Sequence, residues 1–365
     1  MNEKEKIIIE LIRQDPFITQ QDLAERLNVS RSAVAGYISS LTRQGMIKGR
    51  AYVMNEGPGI LIIGGANMDR KITLTEKVNM GDSNPAATGN TRGGVARNIA
   101  ENLVHMGMDP NLLTVLGQDQ DSEHLRKHAA ECGLDLSLSL TRSDQSTGSY
   151  TAIFNPDHDL ILAAADMAIY DTVMPDEVRK SFRKAGHCEW VAVDTNFSLE
   201  AMREILTQTA ASKGTKLAVI PVSASKLNRI PYRPEQINLL ILNHFEAITL
   251  VKNWTGHVTE DEKELMHHLT EEGVEQVIIT KGAEGAYYQE RGSQMRHQPA
   301  PQTNVVDVTG AGDAFSSGVL FSLSHNNPLD EAVRTGLLAA KATLESTDTV
   351  TSTVNETWIK SIQQS

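Results

Sequence analysis

The stretch 307–315 reads DVTGAGDAF and places two glycines directly before a predicted helix that runs to about residue 325. Gly310 and Gly312 would let the backbone bend closely around an anion. The first amides of the helix carry partial positive charge and would point toward the oxygens of that anion. We therefore predict an anion hole at Gly310, Ala311 and Gly312.

Asp313 lies where these amides converge. A carboxylate at that position can accept the proton of an attacking hydroxyl group while a phosphoryl group is transferred, which is the role of a general base. The same residue can also serve only as a cap of its own helix, since aspartate is common at helix starts. Taken alone, the stretch leaves these two interpretations open.

Short apolar runs alternate with helical segments along the rest of the chain, as in repeated strand-helix-strand units. The runs are ILIIG (60–64), WVAVD (190–194), LAVIPV (217–222), LLILN (239–243) and QVIIT (276–280). The pattern predicts an α/β fold with a doubly wound, mostly parallel sheet, whose ligands bind beyond the carboxyl ends of the strands. Two shorter alternating regions, 69–91 and 149–162, predict a small β lid that would exclude water from a bound phosphate.

Residues 1–56 are predicted to form a small, separate domain of three short helices. Thr19 and Ser30 each precede a helical segment as N-cap residues, and the tight connection at 28–29 is typical of a helix-turn-helix. Gly45 would end the third helix. The core between the helices is predicted to contain Ala24, Leu27, Val34 and Ile38.

The segment that follows, IKGRAYVM at 47–54, reads as a short hairpin wing with two basic residues. Basic side chains on a wing can contact phosphate, and the outer face of the third helix can face bases. The residues predicted to contact DNA are Arg31, Ser32, Tyr37, Lys48 and Arg50. The domain resembles the winged helix-turn-helix of many bacterial regulators, and a three-helix interaction or dimerisation module is the alternative.

Charge divides the chain into two unlike parts. The chain has 34 Lys and Arg residues against 46 Asp and Glu residues. Eight of the basic and six of the acidic residues lie within 1–55, which leaves 26 basic and 40 acidic residues for the remainder. Because an acidic body repels the phosphates of DNA, DNA would bind through the N-terminal domain, and the body at 59–365 would bind small ligands.

Two cysteines, Cys132 and Cys188, are too few for a disulfide framework and lack the spacing of metal ligands. The N-terminal segment alternates charged and apolar residues, and no apolar stretch approaches ~18 residues. We therefore expect a cytoplasmic protein that is neither secreted nor inserted into a membrane.

The string DVTGAGD at 307–313 resembles the second signature of the PfkB family of ribokinase-like kinases, D-T-[TA]-G-A-G-D, and Val308 is its single departure. Residues 93–98, GGVARN, resemble the first signature of the same family. The resemblance spans residues 60–355, with the elements in the family's order. It implies a ribokinase-like fold with a small β lid, and an ATP-dependent kinase in which Asp313 is the catalytic base.

The resemblance also implies which residues bind the substrates. On the acceptor side these are Asp69, Gly94 and Asn98, which would contact sugar hydroxyls. The string NHFE at 243–246 resembles the family's N-x-x-E, and TKGAEG at 280–285 resembles its T-x-G-x-x-G. On the nucleotide side the implied contacts are Asn243, Thr280, Gly282 and Gly285, and Glu246 would hold Mg²⁺ through water.

One departure from the family lies at Ile220 and Pro221, where many relatives have Asp-Pro at the end of a strand. A polar contact is therefore missing there. Lys226 follows shortly afterwards and could approach a phosphate, although a solvated surface lysine is the simpler interpretation. Without the resemblance, Glu246 would likewise be a solvated helix residue.

Within the family, residues 82–85, 194–196 and 221–226 resemble pseudouridine kinases and related nucleoside kinases, some of which carry N-terminal helix-turn-helix domains. This implies phosphorylation of the 5′-hydroxyl of pseudouridine. Ala86 stands where those relatives commonly have glycine, so another nucleoside, ribose or a hexose stays open as the acceptor. A transcription regulator that only senses a sugar or nucleoside is the alternative of another class, and Asp313 argues against it. Lid strands often pair in this family, which is compatible with a homodimer.

Overall fold

The computed structural model describes residues 3–47 and 59–363. In the first range three helices enclose a small apolar core, and they are α1 (Glu3–Gln14), α2 (Gln20–Leu27) and α3 (Arg31–Arg43). The predicted core is confirmed, because Ala24, Val34 and Ile38 are buried in it and Leu27 packs against it. The predicted hairpin wing lies almost entirely outside the described residues, and so do Lys48 and Arg50.

Local hydrogen bonds explain where these helices begin and end. The Thr19 side chain accepts a hydrogen bond from the backbone N–H of Asp22, and the Asp22 carboxylate accepts one from the backbone N–H of Thr19. The two residues therefore form a capping box at the start of α2. Asn28 takes a left-handed conformation (φ 49°) at the end of α2. Ser30 caps α3, and Gly45 (φ 72°) follows its end.

The outer face of α3 differs from its prediction at one residue. Arg31 and Ser32 are exposed, as a surface that meets DNA requires. Tyr37 is partly buried and packs against the core of the domain, because it lies about one helical turn after the buried Val34. Its predicted outward orientation therefore holds only for part of the side chain.

The second range is built around a sheet that has eight strands within residues 59–363. In spatial order they are β14 (Arg296–Gln298), β13 (Ala286–Glu290), β12 (Gln276–Thr280), β11 (Leu239–Asn243), β10 (Lys216–Val219), β9 (Trp190–Val193), β1 (Ile60–Ile63) and β4 (Asn111–Leu113). The strands from β12 to β4 run parallel, and β13 and β14 are antiparallel additions at one edge. All five predicted runs supply a parallel strand, although β10 ends at Val219, before the end of its run.

A separate four-stranded sheet within the same range is the predicted lid. Its strand order is β3 (Ala86–Gly93), β2 (Asn67–Leu74), β7 (Ser149–Phe154) and β8 (Leu160–Asp166). Only residues 64–66 separate β1 from β2, so the lid grows directly out of the carboxyl edge of the main sheet. The outer strands β3 and β8 are exposed almost throughout. A short parallel pair completes the strands, with β5 at Val115–Leu116 and β6 at Leu140–Thr141.

Helices cover both faces of the main sheet. They are α4 (Val95–His105), α5 (Gln120–Cys132), α6 (Pro175–Ala185), α7 (Leu199–Ala211), α8 (His244–Thr255), α9 (Glu262–Glu271), α10 (Ala311–Ser324), α11 (Leu329–Leu344) and α12 (Glu356–Gln363). Short 3₁₀ segments lie at Ala168–Thr172, Ala224–Arg229, Pro234–Gln236 and Gly282–Glu284. Across the described ranges, no helix combines the length and the apolar character that crossing a membrane requires.

Two buried apolar layers, one on each face of the main sheet, explain why the sequence of β1 is a continuous apolar run. Ile60 and Ile62 join the layer on one face of the sheet, while Leu61 and Ile63 join the layer on the other. A parallel strand that is covered on both faces has no position left for a polar side chain. The prediction of a parallel strand from the sequence ILII is therefore confirmed.

The helices α10 and α11 pack through two glycines. An added Cβ on Gly318 would lie 2.9 Å from Cα of Gly336, and one on Gly336 would lie 2.8 Å from the carbonyl oxygen of Phe315. Because no side chain separates them, the two backbones approach each other closely. This contact fixes the position of α10, whose first turn carries Asp313.

Candidate active site

Two glycine turns bring the two sequence motifs together. Gly94 directly precedes α4, Gly310 directly precedes α10, and the two helices pack against each other. The side-chain amide of Asn98 in α4 donates a 2.6 Å hydrogen bond to the carboxylate of Asp313 in α10. That carboxylate is therefore directed toward another helix rather than toward the amides of its own. Residues 215 positions apart in the sequence thus share one site.

The glycines before α4 are required by close contacts. Gly94 has a positive φ of 98°, which favours glycine. A Cβ on Gly94 would collide with the carbonyl oxygen of Gly65, and a Cβ on Gly93 would collide with the carboxylate of Asp69. The start of α4 therefore lies directly against the segment that follows β1 and against the lid residue Asp69.

The two glycines around the start of α10 differ from each other. Gly310 is left-handed (φ 80°), and a Cβ there would collide with the carbonyl oxygen of Thr349, so only glycine fits. Gly312 lies in the first turn of the helix, and a Cβ there would meet no atom within 4 Å. The predicted bend is therefore made by Gly310, while Gly312 leaves open space beside the helix start. Asp307 steadies the turn by accepting hydrogen bonds from the N–H (2.9 Å) and the hydroxyl (2.7 Å) of Thr309.

The carboxyl group of Asp313 has an unusually high pKa. Burial raises its pKa to about 7. The hydrogen bond from Asn98 and the positive charge of Arg97 oppose this rise, whereas the charges of Asp194 and Asp69 add to it. A carboxylate whose pKa lies near neutrality is well matched to accepting a proton from a hydroxyl group at neutral pH.

Asp69 reaches the site from the lid strand β2. Asn67 donates a 2.6 Å hydrogen bond to its carboxylate. Burial raises the pKa of Asp69 to about 6, although Arg97 and Asn67 hold it lower than burial alone would. Because β2 pairs with β3 on one side and with β7 on the other, the position of Asp69 is fixed within the lid. Such a carboxylate can accept hydrogen bonds from substrate hydroxyls.

A third carboxylate, Asp194, follows β9 and is surrounded by donors. It accepts hydrogen bonds from the backbone N–H groups of Gly65 (2.8 Å), Ala96 (3.3 Å) and Asn196 (2.8 Å). The side chain of Asn196 donates a further one at 2.9 Å. Burial raises the pKa of Asp194, and these hydrogen bonds oppose the rise. Asp194 therefore ties together the end of β1, the start of α4 and the end of β9.

Lys226 is not the solvated surface lysine that its sequence suggests. Its ammonium group donates a 2.6 Å hydrogen bond to the side-chain oxygen of Asn196. Burial lowers the pKa of Lys226, and the charge of Asp194 opposes that shift. Arg229 donates to the backbone carbonyl of Asn196. Although Ile220 supplies no polar contact, two cations therefore lie at this corner of the sheet.

Asn243 and Thr280 lie side by side at the carboxyl ends of the neighbouring parallel strands β11 and β12. The Asn243 side chain accepts a hydrogen bond from the N–H of Glu246, and the Glu246 carboxylate accepts one from the N–H of Asn243, both at 2.9 Å. The N-x-x-E pattern is thus a capping box at the start of α8. Glu246 is buried, and burial raises its pKa, so the alternative of a solvated helix residue is wrong.

Gly282 and Gly285 form the turn after β12, with positive φ values of 53° and 101°. A Cβ on Gly285 would collide with the carbonyl oxygen of Gln298, whereas a Cβ on Gly282 would meet no atom within 4 Å. Gly282 therefore leaves open space near the strand end that carries Thr280. Within the described part of the chain, no side-chain hydrogen bond links this group to Asp313, so the predicted site residues form two clusters.

The residues present fit a magnesium ion that is held mainly by a nucleotide. Mg²⁺ prefers oxygen ligands, and Glu246 uses one carboxylate oxygen in its capping box, which leaves the other. Among residues 3–47 and 59–363, no group of three or more His, Cys, Asp or Glu side chains is placed to hold a metal ion. Phosphate oxygens would therefore have to supply direct ligands, with Glu246 acting through water.

Three further residues adjoin the cluster around Asp313, although the sequence assigns them no role. They are Arg97, Glu101 and His128. Arg97 and Glu101 are both buried and form an ion pair within α4. His128, in α5, lies 2.8 Å from the carboxylate of Glu101. The available signal was the i,i+4 spacing of opposite charges in a helix that follows a glycine turn. Burial of that helix face could not be read from the spacing.

Two parts of the chain match known families. Residues 58–357 match the family described as pfkB family carbohydrate kinase. Residues 1–48 match a family described as winged helix-turn-helix DNA-binding. The first match contains both glycine turns and every residue of the two clusters.

Several similar proteins are named as kinases. The chain is 30% identical over 344 residues to an uncharacterized sugar kinase, YeiI, of Escherichia coli (strain K12), and 93% of each chain is covered. It is 30% identical over 281 residues to a pseudouridine kinase of the same organism, covering 77% of this chain and 88% of the relative. Among solved structures, a carbohydrate kinase from Agrobacterium tumefaciens is 27% identical with a TM-score of 0.73, covering 84% of this chain and 97% of that chain.

Proposed function

Because the chain belongs to the pfkB family of carbohydrate kinases, we propose that it uses ATP to phosphorylate the 5′-hydroxyl of a nucleoside, with pseudouridine as the leading acceptor. The hydrogen bond between Asn98 and Asp313 carries the proposal, because it joins the acceptor-side motif to the turn expected to bind phosphate. A sugar bound at Asn98 would have a hydroxyl next to the carboxylate that must take its proton.

Asp313 acts as the general base. It accepts the proton of the acceptor hydroxyl while that oxygen attacks the γ-phosphorus of ATP and the bond from phosphorus to ADP breaks. Gly310, Ala311 and Gly312 form the anion hole, since the start of α10 offers amide donors and the positive end of the helix dipole. The open space at Gly312 supports this role, because it leaves room for an anion beside the start of the helix.

The acceptor binds between the lid and α4. Asp69 accepts hydrogen bonds from sugar hydroxyls, and Asn98 donates to the substrate as well as to Asp313. Gly94 lets the substrate approach the backbone where α4 begins. The lid strands exclude water from the bound phosphate, which prevents hydrolysis and strengthens these contacts.

The nucleotide binds at the ends of β11 and β12. Asn243 and Thr280 contact it there, and the turn with Gly282 and Gly285 shapes the space beside it. Glu246 holds Mg²⁺ through water. The ion, when bound to the phosphates, offsets the negative charge that develops during transfer.

Pseudouridine is favoured because a pseudouridine kinase is among the relatives that are 30% identical to the chain. Lys226 donates a hydrogen bond to Asn196. The two residues belong to the segments 221–226 and 194–196, whose sequences resemble those of such kinases. The relative YeiI is named only as a sugar kinase, so the alternatives are another nucleoside, ribose or a hexose.

A panel of acceptors tests the proposal. The wild type and Asp313→Asn are assayed for ADP release and product mass with pseudouridine, uridine, inosine, ribose and fructose. We expect the highest kcat/KM for pseudouridine and a loss of about 10²–10⁴ in kcat for Asp313→Asn, the usual contribution of a general base. Asp330→Asn, a half-exposed carboxylate on α11, is the control and should keep full activity.

The outcomes separate the alternatives. Preference for ribose or fructose would contradict the nucleoside assignment while leaving the kinase assignment intact. Binding of pseudouridine without phosphorylation of any acceptor, by either protein, would instead mean that the body is a non-catalytic sensor.

A second function, DNA binding by residues 1–56, is proposed beside the kinase activity of residues 59–365. It is supported by the winged helix-turn-helix match and by the exposed Arg31 and Ser32 on α3. Tyr37 can contribute only its exposed part. The contacts of Lys48 and Arg50 remain predictions.

A further inference from the structure

Arg97 lies in α4, directly before Asn98 in the cluster of polar residues around Asp313, and it is only 5% exposed. Its guanidinium donates hydrogen bonds to the backbone carbonyls of Gly93 (3.0 Å) and Arg92 (2.9 Å). It also donates to the side chains of Asn98 and Glu101. Because arginine presents its N–H donors in a rigid fork, four acceptors fix the guanidinium closely.

The contact with Arg97 determines which end of the Asn98 amide faces the catalytic carboxylate. The Oδ1 atom of Asn98 accepts from Arg97, and its Nδ2 atom donates to Asp313 at 2.6 Å. A flipped amide would place N–H groups against the guanidinium and an oxygen against the carboxylate. Both contacts would then be repulsive, so Arg97 and Asp313 together permit a single orientation.

A second contact of Arg97 leads toward the surface. Glu101 accepts from Arg97 with one carboxylate oxygen, and His128 Nε2 lies 2.8 Å from the other oxygen. The side chain of Glu101 is 6% exposed, whereas that of His128 is 22% exposed. The buried guanidinium is therefore paired with an anion that has its own partner, which is what a buried ion pair needs to be tolerated.

Arg97 is also a cation that acts on the carboxylates of the site. Its charge lowers the pKa of Asp313 and of Asp69, against the effect of burial. Burial in turn lowers the pKa of Arg97, and Glu101 is the first of the anions that oppose this shift. Phosphoryl transfer brings further negative charge to the same place, so a fixed cation close to Asp313 matters more once ATP binds.

We propose that Arg97 is a positioning residue for the phosphoryl transfer, which turns the amide of Asn98 toward Asp313 and places a fixed positive charge among the carboxylates of the site. The inference rests on the proposed function, since it assigns Asp313 as the base. Nothing in the sequence of the motif separates this role from that of an ordinary helix residue. The contacts of the Arg97 guanidinium distinguish the two roles.

The first test is Arg97→Lys. A lysine keeps the positive charge, but one ammonium group cannot replace the planar fork that reaches both Asn98 and Glu101. We expect kcat to fall by up to about 10²-fold, as for a displaced positioning contact, while the acidic limb of the pH profile of kcat/KM stays at its wild-type pH. The acceptor is whichever of pseudouridine, uridine, inosine and ribose the wild type phosphorylates fastest.

The second test is the double variant Arg97→Met with Glu101→Gln, which leaves neither partner of the buried pair as an unpaired ion. We expect the loss of kcat and, in addition, an acidic limb moved upward by about one pH unit. The shift follows because a nearby cation lowers a carboxyl pKa by roughly 1–3 units. Without the cation, Asp313 keeps its proton to a higher pH.

Other charged groups face the same atoms, so the pH profile needs a matched control. The groups facing Asp313 are Arg97 in α4, Asp69 in β2 and Asp194 after β9. Arg97 is also faced by Glu101 and Arg92, and Glu101 by His128 and His105. Glu101→Gln alone removes the anion and leaves the guanidinium. Its acidic limb should therefore stay at the wild-type pH or move below it.

The outcomes distinguish this inference from the proposed function. The role of Arg97 would be overturned if the wild type is active and the double variant has the same kcat and the same acidic limb. A lower melting temperature of the variant would not change that conclusion. Should the double variant fail to fold, an unchanged kcat of Arg97→Lys would overturn it equally. If the wild type phosphorylates none of the acceptors, the proposed function fails instead.

Discussion

The carboxyl group of Asp313 holds its proton more tightly in the folded protein than in an unfolded chain. Burial raises its pKa from the ordinary 3.8 to about 7. Between these two values the folded state binds more protons than the unfolded state, so stability falls as pH rises. Above the folded pKa the full cost of the ionised carboxylate is present. The protonation state that the proposed reaction needs is therefore the less stable one.

Asp313→Asn should relieve this cost, because the amide cannot ionise and its oxygen can still accept the hydrogen bond from Asn98. We expect the variant to have a higher Tm than the wild type at pH 8, and the difference to shrink at pH 5, where the wild-type carboxyl is mostly protonated. Calorimetry at both pH values measures this, with Asp330→Asn as the control. A variant that melts below the wild type at pH 8 would show that the carboxylate stabilises the fold.

Alanine should have opposite effects on stability at the two glycines around the start of α10. Gly310→Ala would place a Cβ against the carbonyl oxygen of Thr349 at a positive φ. We expect it to lower the free energy of unfolding by about 1–3 kcal/mol, the usual cost of such backbone strain. Gly312→Ala meets no atom, and alanine is the better helix former by about 1 kcal/mol, so stability should hold or rise.

Although Gly312→Ala should keep or raise stability, we expect it to impair activity. A methyl group at Gly312 would enter the space in which the phosphate is proposed to lie, so we expect a raised KM for ATP or a lowered kcat in a well-folded variant. Urea unfolding and steady-state kinetics on both variants give the comparison. A Gly312→Ala variant with wild-type kcat and KM for ATP would argue against the anion hole.

Elements with strong local signals were predictable from the sequence. Thr19 and Ser30 cap their helices as predicted, since a cap is a contact within three residues. Contacts between distant segments were not predictable. Lys226 meets an asparagine 30 positions earlier, and Asn98 meets a carboxylate 215 positions later. The sequence motifs therefore predicted Asn98 and Asp313, which the fold brings together, while Arg97 and the burial that shifts the pKa values required the structure.

The distribution of charge along the chain determines which part could bind DNA. The remainder after residue 55 has 40 acidic residues against 26 basic ones, so it repels phosphates, and attraction must come from the N-terminal domain. A protein that neutralises phosphates releases counterions, and the slope of log Kobs against log salt reports how many it contacts. The salt slope measured on the full chain would therefore report how many phosphates the N-terminal domain contacts.

Arg31→Ala in the full chain tests this arrangement with DNA from the region upstream of its own gene. Fluorescence anisotropy across about 50 to 200 mM salt should show weaker binding and a slope reduced by about 1, as for one lost phosphate contact. Arg13→Ala changes the net charge equally on an exposed position of α1, so it should bind like the wild type. Equal weakening by both variants would mean that overall charge, rather than the face of α3, attracts the DNA. Because the residues proposed to transfer the phosphoryl group lie in the other range, kcat should be unchanged in both variants.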